Sequence, residues 1–355
     1  MSKIIYIQEK YIKKFISKIF QVLKVPIIER NNLSKSLIGS SLRGVDSHGI
    51  RLLPHYIKCL EKGRIKINPK MKYKKLMNSV GLVNADNGFG HSAAFIAAFN
   101  AIKLAKENGI GLVGVINSSH YGAAGAYSLE IAEKNFIGFC FTHSDAFAIP
   151  FNGIKKFHGT NPYSFSSPIK NKKPLLVDFS STSIPWNTVL RAKSNNKKLI
   201  KDVAFDIFGN PTTNPNITKS LSPLGGNSFG HKGFGLSSSI EVLCGPLLGL
   251  MHGFRILSMD GPNFKNHRNL GHLIIAININ AITSRKIYFN NMSQYISDLK
   301  SQKSKKNKKI LYPGEKEWIE EKKRKKIGIP FDYELINNFQ QLDKKFNLNY
   351  FKSLI

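Results

Sequence analysis

The feature that most constrains this chain is a change of texture at about residue 79. SVGLVNAD (79–86) has the spacing of a strand, SAAFIAAFNAIKLAKEN (92–108) that of a helix, and GIGLVGVINSS (109–119) that of a strand ending on a polar tip. AGAYSLEIAEKN (124–135) and FIGFCFTHS (136–144) repeat the alternation. Strands alternating with helices build an α/β sheet covered by helices. Polar residues at strand ends lie where such folds place their ligands.

The flanks are less regular. Residues 8–24 and 33–42 read as helices, and the polar, Gly-containing stretch 43–56 enters another. Gly63 and Pro69 punctuate a loop, and residues 145–183 read as loop with short strands. DIFGNPTTNP (206–215) is a turn cluster that no helix or central strand could hold. GFGLSSSIEVLCGPLLGLMHG (233–253) reads as a buried helix and LGHLIIAININ (270–280) as a strand. A chain of 355 residues suits two subdomains in one compact unit.

The net charge of +31 attracts polyanions in principle, and a basic nucleic-acid-binding protein acting through the Lys-rich stretch 299–326 is the rival reading from another class. Only nine of the 53 basic residues are Arg, the side chain that nucleic-acid readers favour. Lys, Asn, Ile and Phe are abundant together, as in any A/T-rich coding sequence, so the 299–326 stretch is read as a solvated loop and helix face. No run reaches 18 apolar residues, which speaks against a membrane span. Residues 1–25 lack an unbroken apolar segment and are read as an amphipathic helix docked on the body. Cys59, Cys140 and Cys244 lie far apart, which gives no disulfide framework and fits a reducing, cytoplasmic compartment.

Two segments imitate a dinucleotide fingerprint. GIGLVG (109–114) runs from helix into strand, the wrong order. GFGHSA (88–93) has the right order, but no acidic residue ends the next strand near Val113 to hold a ribose. Both are read as packing glycines.

Chemistry concentrates in three polar clusters. Asp46-Ser47-His48-Gly49 sets an imidazole beside a hydroxyl and a carboxylate, a combination suited to acid–base work. Residues 117–122, containing His120, sit at a strand tip. His158-Gly159-Thr160-Asn161-Pro162 and the run Asp178, Phe179, Ser180, Ser181, Thr182 and Ser183 offer hydroxyls and backbone donors for phosphate or ribose. There is no GxSxG elbow and no spaced metal-ligand set, so neither a serine hydrolase nor a metal is expected.

In this order the clusters resemble one family, the malate/L-lactate dehydrogenase type 2 family, which includes ureidoglycolate dehydrogenase and diketogulonate and sulfolactate reductases. LRGVDSHGIRLLPHY (42–56), NSSHYGAAGAYSLEIAEKNFIG (117–138), PFNGIKKFHGTNPYSFSSP (150–168), VDFSSTSIPW (177–186), HKGFGL (231–236) and YPGE (312–315) carry the likeness. The resemblance implies an α/β fold with a mixed sheet in a non-Rossmann NAD(P)-binding domain, plus a helical domain formed by the N- and C-terminal segments. The expected division is 1–75, 76–284 and 285–355, with the last segment packing back on the first. The implied activity is hydride transfer between NAD or NADP and a small 2-hydroxy acid, malate- or lactate-like first, ureidoglycolate second, imine reduction third. The implied assembly is a homodimer.

The resemblance also implies site roles. His48 matches the family's acid/base histidine, His120 is a second candidate for that role, and Ser47 contacts substrate. Asp178 belongs to the cofactor run and could orient a histidine. Ser144 joins the substrate side. Thr160 and Asn161 are turn residues under the nicotinamide, and Lys232, Gly233, Pro313, Gly314 and Glu315 match further cofactor contacts. For the substrate carboxylate the candidates are Arg43 and Arg51. Many relatives carry an Arg four residues after the histidine; here that position is Leu52.

Overall fold

The computed structural model describes residues 4–354. Near the N-terminus, β1 (Ile5–Ile7) precedes α1 (Glu9–Val22), α2 (Ile27–Leu42) and α3 (Leu53–Glu61). Ile12, Phe15, Ile16, Ile19 and Phe20 of α1 recur at helical spacing and are all buried, so its apolar stripe is docked on the body. Helix α2 starts at Ile27, six residues before the sequence suggests. Ile27 and Ile28 are exposed, so its first turn shows no amphipathic pattern. No helix among the described residues is long and apolar enough to cross a membrane.

The central part runs β2 (Lys72–Met77), β3 (Val80–Asn84), α4 (Gly90–Asn108), β4 (Ile110–Ser118), α5 (Gly125–Ala132), β5 (Phe136–Thr142), β6 (Tyr163–Ser167) and β7 (Leu175–Phe179). There follow α6 (Trp186–Ser194), the short pair β8 (Ala204–Phe205) and β9 (Ser220–Leu221), α7 (Gly226–Cys244) and β10 (Leu270–Asn278). Seven strands form one sheet in the order β2-β3-β4-β10-β5-β6-β7. Only β3 and β4 pair in parallel; every other neighbour is antiparallel. The fold is therefore mixed α/β, and its strand order is not that of a doubly wound dinucleotide fold.

The glycine segments confirm this at residue level. GFGHSA does join a strand to a helix, β3 to α4, but a Cβ on Gly90 would lie 2.2 Å from the carbonyl oxygen of Ser119. The Gly90 amide donates to Ser119 Oγ at 2.9 Å, so the β4 tip covers the helix start where a pyrophosphate would bind. In GIGLVG, a Cβ on Gly111 would lie 2.1 Å from the Ala101 carbonyl oxygen, which fixes it as a helix–strand contact. Helix α7 begins at Gly226 and stops at Cys244, nine residues short of the sequence expectation, because Gly245-Pro246 breaks it.

The chain closes with α8 (Arg285–Ser301), α9 (Glu315–Ile327), β11 (Ile329–Phe331) and α10 (Tyr333–Lys345). β11 pairs with β1, and Phe331, Phe339 and Phe351 share one apolar core with α1, α2 and α3. Phe15 of α1 stacks on Phe339 with ring centroids 5.2 Å apart. Ile296, Tyr312 and Trp318 turn instead to Leu175 and Leu176 at the sheet edge. The basic stretch is thus not wholly solvated: Trp318, Glu321 and Arg324 form a buried face of α9.

Candidate active site

A cavity of about 300 Å³ opens where the α2–α3 connection, the β4 tip, the β7 end and α6 meet. Its wall carries His48, His120, Ser144, Asp178 and Arg268.

His48 ends a short turn, 46–48, that follows α2. The chain can press this close to α2 because residue 49 is glycine: a Cβ there would fall 2.1 Å from Ser41 Oγ. That hydroxyl instead accepts the Ile50 amide at 3.0 Å. The turn is held from outside by Arg324 of α9, which donates to both carboxylate oxygens of Asp46 at 2.6 and 3.0 Å and to the Ser41 carbonyl at 2.6 Å. Asp46 is therefore an anchor and not a proton carrier. Asn187 of α6 adds a 3.3 Å bond to the Ser47 carbonyl.

His120 lies just beyond β4. Its ring is 5.8 Å from that of His48, centroid to centroid, and 23° from parallel. The two imidazoles have different partners. His48 Nδ1 lies 2.9 Å from Ser47 Oγ, a hydroxyl that can donate or accept. His120 Nδ1 lies 2.6 Å from the phenol of Tyr56. Tyr56 is fully buried and, among the described residues, this is its one side-chain hydrogen bond, so its proton points at His120 or is left as an unpaired buried donor. His120 thus accepts at Nδ1, and its neutral form carries its proton on Nε2.

Burial dominates the titration of both rings. It lowers His48 from the ordinary value of 6.5 to about 4. It lowers His120 well below 6.5, helped by His48, Arg268, His55 and His91. Tyr56 is raised well above 10, so it remains a phenol.

The other expected residues divide into three groups. Thr160, Phe179 and Ser180 line the cavity with Ser47, Ser144 and Asp178. Asn161, Ser181, Thr182 and Ser183 stand behind the wall. Asn161 is fully buried, bonded to Glu241 at 2.6 Å and to the Ser237 carbonyl at 3.1 Å, while its oxygen accepts the Ser144 amide. Ser181 binds the Thr160 carbonyl, Thr182 the Ile184 carbonyl and Ser183 the Pro223 carbonyl. The third group does not line the cavity. Lys232 is exposed beside the Phe229 ring, and Gly233 packs on Leu224. Pro313 accepts the Leu176 amide, Gly314 abuts Leu176, and Glu315 pairs with Lys300 at 2.5 Å.

Three expectations need correction. Asp178 orients no histidine; its carboxylate accepts the Gly125 amide at 2.9 Å. Arg51 points away and pairs with Asp332. Arg43 does not line the cavity and stands near Asp178 and Glu321. The cation on the wall is Arg268, which the sequence reading passed over in HRNLGHLIIAI (267–277). It is almost fully buried, pairs with Asp145 and donates through Nε to the Leu257 carbonyl at 2.9 Å. Its Nη1, also buried, has no partner among the described residues. A lone Arg just before a strand of apolar residues was the available signal, since Arg is rare in this chain and costly to bury unpaired.

The sequence profile of the malate/L-lactate dehydrogenase family matches residues 7–340. The chain is 31% identical over 338 residues to a malate/(S)-sulfolactate dehydrogenase of Methanothermus fervidus, covering 95% of this chain and 96% of that one. It is 31% identical over 322 residues to a ureidoglycolate dehydrogenase (NAD(+)) of Escherichia coli, covering 90% of each. Its fold is similar to that of a malate dehydrogenase from Entamoeba histolytica, with a TM-score of 0.92, 27% identity, and coverage of 97% of this chain and 99% of that one.

Proposed function

Because the chain belongs to the malate/L-lactate dehydrogenase family, we propose that it oxidises a small 2-hydroxy acid of malate or lactate type to the 2-oxo acid, and reduces it back, with NAD or NADP. The observation that carries this reading is the convergence on a single cavity of two unlike imidazoles and one guanidinium whose buried Nη1 has no partner among the described residues.

The wall suits a nicotinamide. Gly122, Ala123, Ala124 and Pro162 make a shelf of small residues, and Phe179 presents a partly exposed ring beside the hydroxyls of Thr160 and Ser180. Those residues would hold the ring and its carboxamide. When bound, the nicotinamide supplies the hydride acceptor for oxidation and the donor for reduction.

The protein's own groups do the rest. Arg268 holds the substrate carboxylate through Nη1, since an unpaired charge in a partly dry cleft is expensive. His48, neutral above about pH 4, takes the hydroxyl proton, and Ser47 accommodates either protonation state at Nδ1. His120 donates from Nε2 to the same substrate oxygen and stabilises the charge that grows there. In the reverse direction His48 returns the proton.

The test is an assay of nicotinamide reduction with 2-hydroxy acids, ureidoglycolate included. His48→Ala should lower turnover on the order of 10²–10⁴-fold with cofactor binding retained. Unchanged turnover moves the proton-transfer role to His120.

A further inference from the structure

The cavity is poor in positive charge. Among the described residues that line it, Arg268 is the only Lys or Arg, and Asp145, Asp178 and Asp260 share the same wall. Two of the three guanidinium nitrogens are engaged, Nε by the Leu257 carbonyl and Nη2 by Asp145. Among the described residues only the buried Nη1 is left without a partner, enough for one anionic group. The nearest alternative in sequence is Arg51, whose guanidinium is held outside by Asp332. One residue further on, Leu52 faces the cavity in its place. Both lie on one tight turn, 50–52, where a step of one residue swings a side chain by about 120°. The lining also holds Phe147, Trp186, Leu190 and Met259, all without charge.

We infer that this site selects 2-hydroxy acids with a single carboxylate and a neutral side chain, and that Leu52 excludes dianionic ones. The inference rests on the dehydrogenase reading above and narrows it. A second carboxylate or a sulfonate would meet apolar side chains, aspartates or neutral hydroxyl and amide groups, and among the described lining residues no second cation. Without one, the hydration that the charge gives up on entry is not fully returned. A neutral tail, aliphatic or carbamoyl, loses nothing comparable. The discrimination expected from one unpaired charge is on the order of 10²-fold in kcat/KM.

Initial rates on the full-length protein decide the matter. The panel is L-lactate, 2-hydroxybutyrate and ureidoglycolate, each with one carboxylate, against L-malate and sulfolactate, each with two anionic groups. At least one of the first three should exceed both dianions by on the order of 10²-fold in kcat/KM. Leu52→Arg should raise malate use by about 10-fold or more relative to lactate, whereas Leu52→Gln, polar but uncharged, should not. Malate or sulfolactate turned over as well as the monocarboxylates overturns the inference. A gap that Leu52→Arg leaves untouched overturns the role of Leu52. Turnover of none of the five overturns the dehydrogenase reading and this inference with it, a result distinct from a panel that reacts in the wrong order.

Discussion

His48 and His120 are the same side chain in two different settings. His48 rides on a short turn between helices, fixed by an ion pair from α9 and paired with a hydroxyl that tolerates both of its protonation states. His120 stands at a strand end, its Nδ1 bonded to the buried phenol of Tyr56, whose proton has no other acceptor among the described residues. Burial depresses both, so burial does not separate them. The partner at Nδ1 does: it leaves one ring free to exchange a proton and holds the other as a donor. A cavity with two histidines can thus contain one base and one electrophilic group without any difference in residue type.

Three experiments bear on that contrast. The largest effect is expected from Arg324→Met, which touches neither ring. It removes both bonds to Asp46 and the bond to the Ser41 carbonyl, and so frees the His48 turn while leaving Tyr56 and His120 in place. Loss of these charge-assisted bonds should cost about 2–3 kcal/mol of stability in chemical denaturation. Turnover should fall by up to ~10²-fold, as expected when a reacting group is displaced by about an ångström. Wild-type turnover in Arg324→Met would mean that the His48 turn needs no outside support, and the contrast between the two settings would weaken.

Much of the sheet was legible in the sequence, because the stretch 79–144 alternates cleanly between strand and helix periods. The His48 motif and the β4 tip were legible for a related reason: polar residues interrupt apolar runs there. What the sequence hid is long-range partnership. Tyr56 and His120 are 64 positions apart, Arg324 and Asp46 are 278 apart, and Arg268 and Asp145 are 123 apart. No local pattern marks such pairs. Arg324 was further masked by the lysines around it, which made EKEWIEEKKRKK look uniformly solvated. Helix α6, which forms one wall of the cavity, was missed because WNTVLRAKS buries only Val189 in its own core and spends Trp186 and Leu190 on the cleft.

Tyr56→Phe sharpens the contrast more directly. It keeps the ring against Phe89 and His91 but deletes the donor to His120 Nδ1. His120 can then place its proton on either nitrogen, and turnover should fall about 10-fold, roughly the worth of the one hydrogen bond that Nε2 no longer always offers the substrate oxygen. Nitrogen NMR of the labelled protein gives a readout that packing alone would not move. The wild-type His120 signal should report a proton on Nε2, and the variant a mixture of both forms. A wild-type ring protonated on Nδ1 would reverse the assignment of donor and base.

The smallest effect expected is an absence of change. An ordinary histidine base, with a value near 6.5, would lose activity steadily from pH 7 to pH 5 as its imidazole is protonated. His48 is lowered to about 4 by burial, so its neutral, proton-accepting form persists through that range. The sign is fixed by the direction of the reaction. Oxidation needs the unprotonated ring, so kcat/KM for the 2-hydroxy acid should stay within about twofold between pH 7 and pH 5 and decline only as pH approaches 4. His120 does not set this limb: burial lowers it well below 6.5 too, and its proposed role uses the neutral ring throughout. A limb near 6.5 that vanishes in His48→Ala would show that His48 is better hydrated in solution than its place in the cavity wall indicates. The same limb surviving in His48→Ala would assign the titration to another group, and the division of labour between the two rings would have to be redrawn.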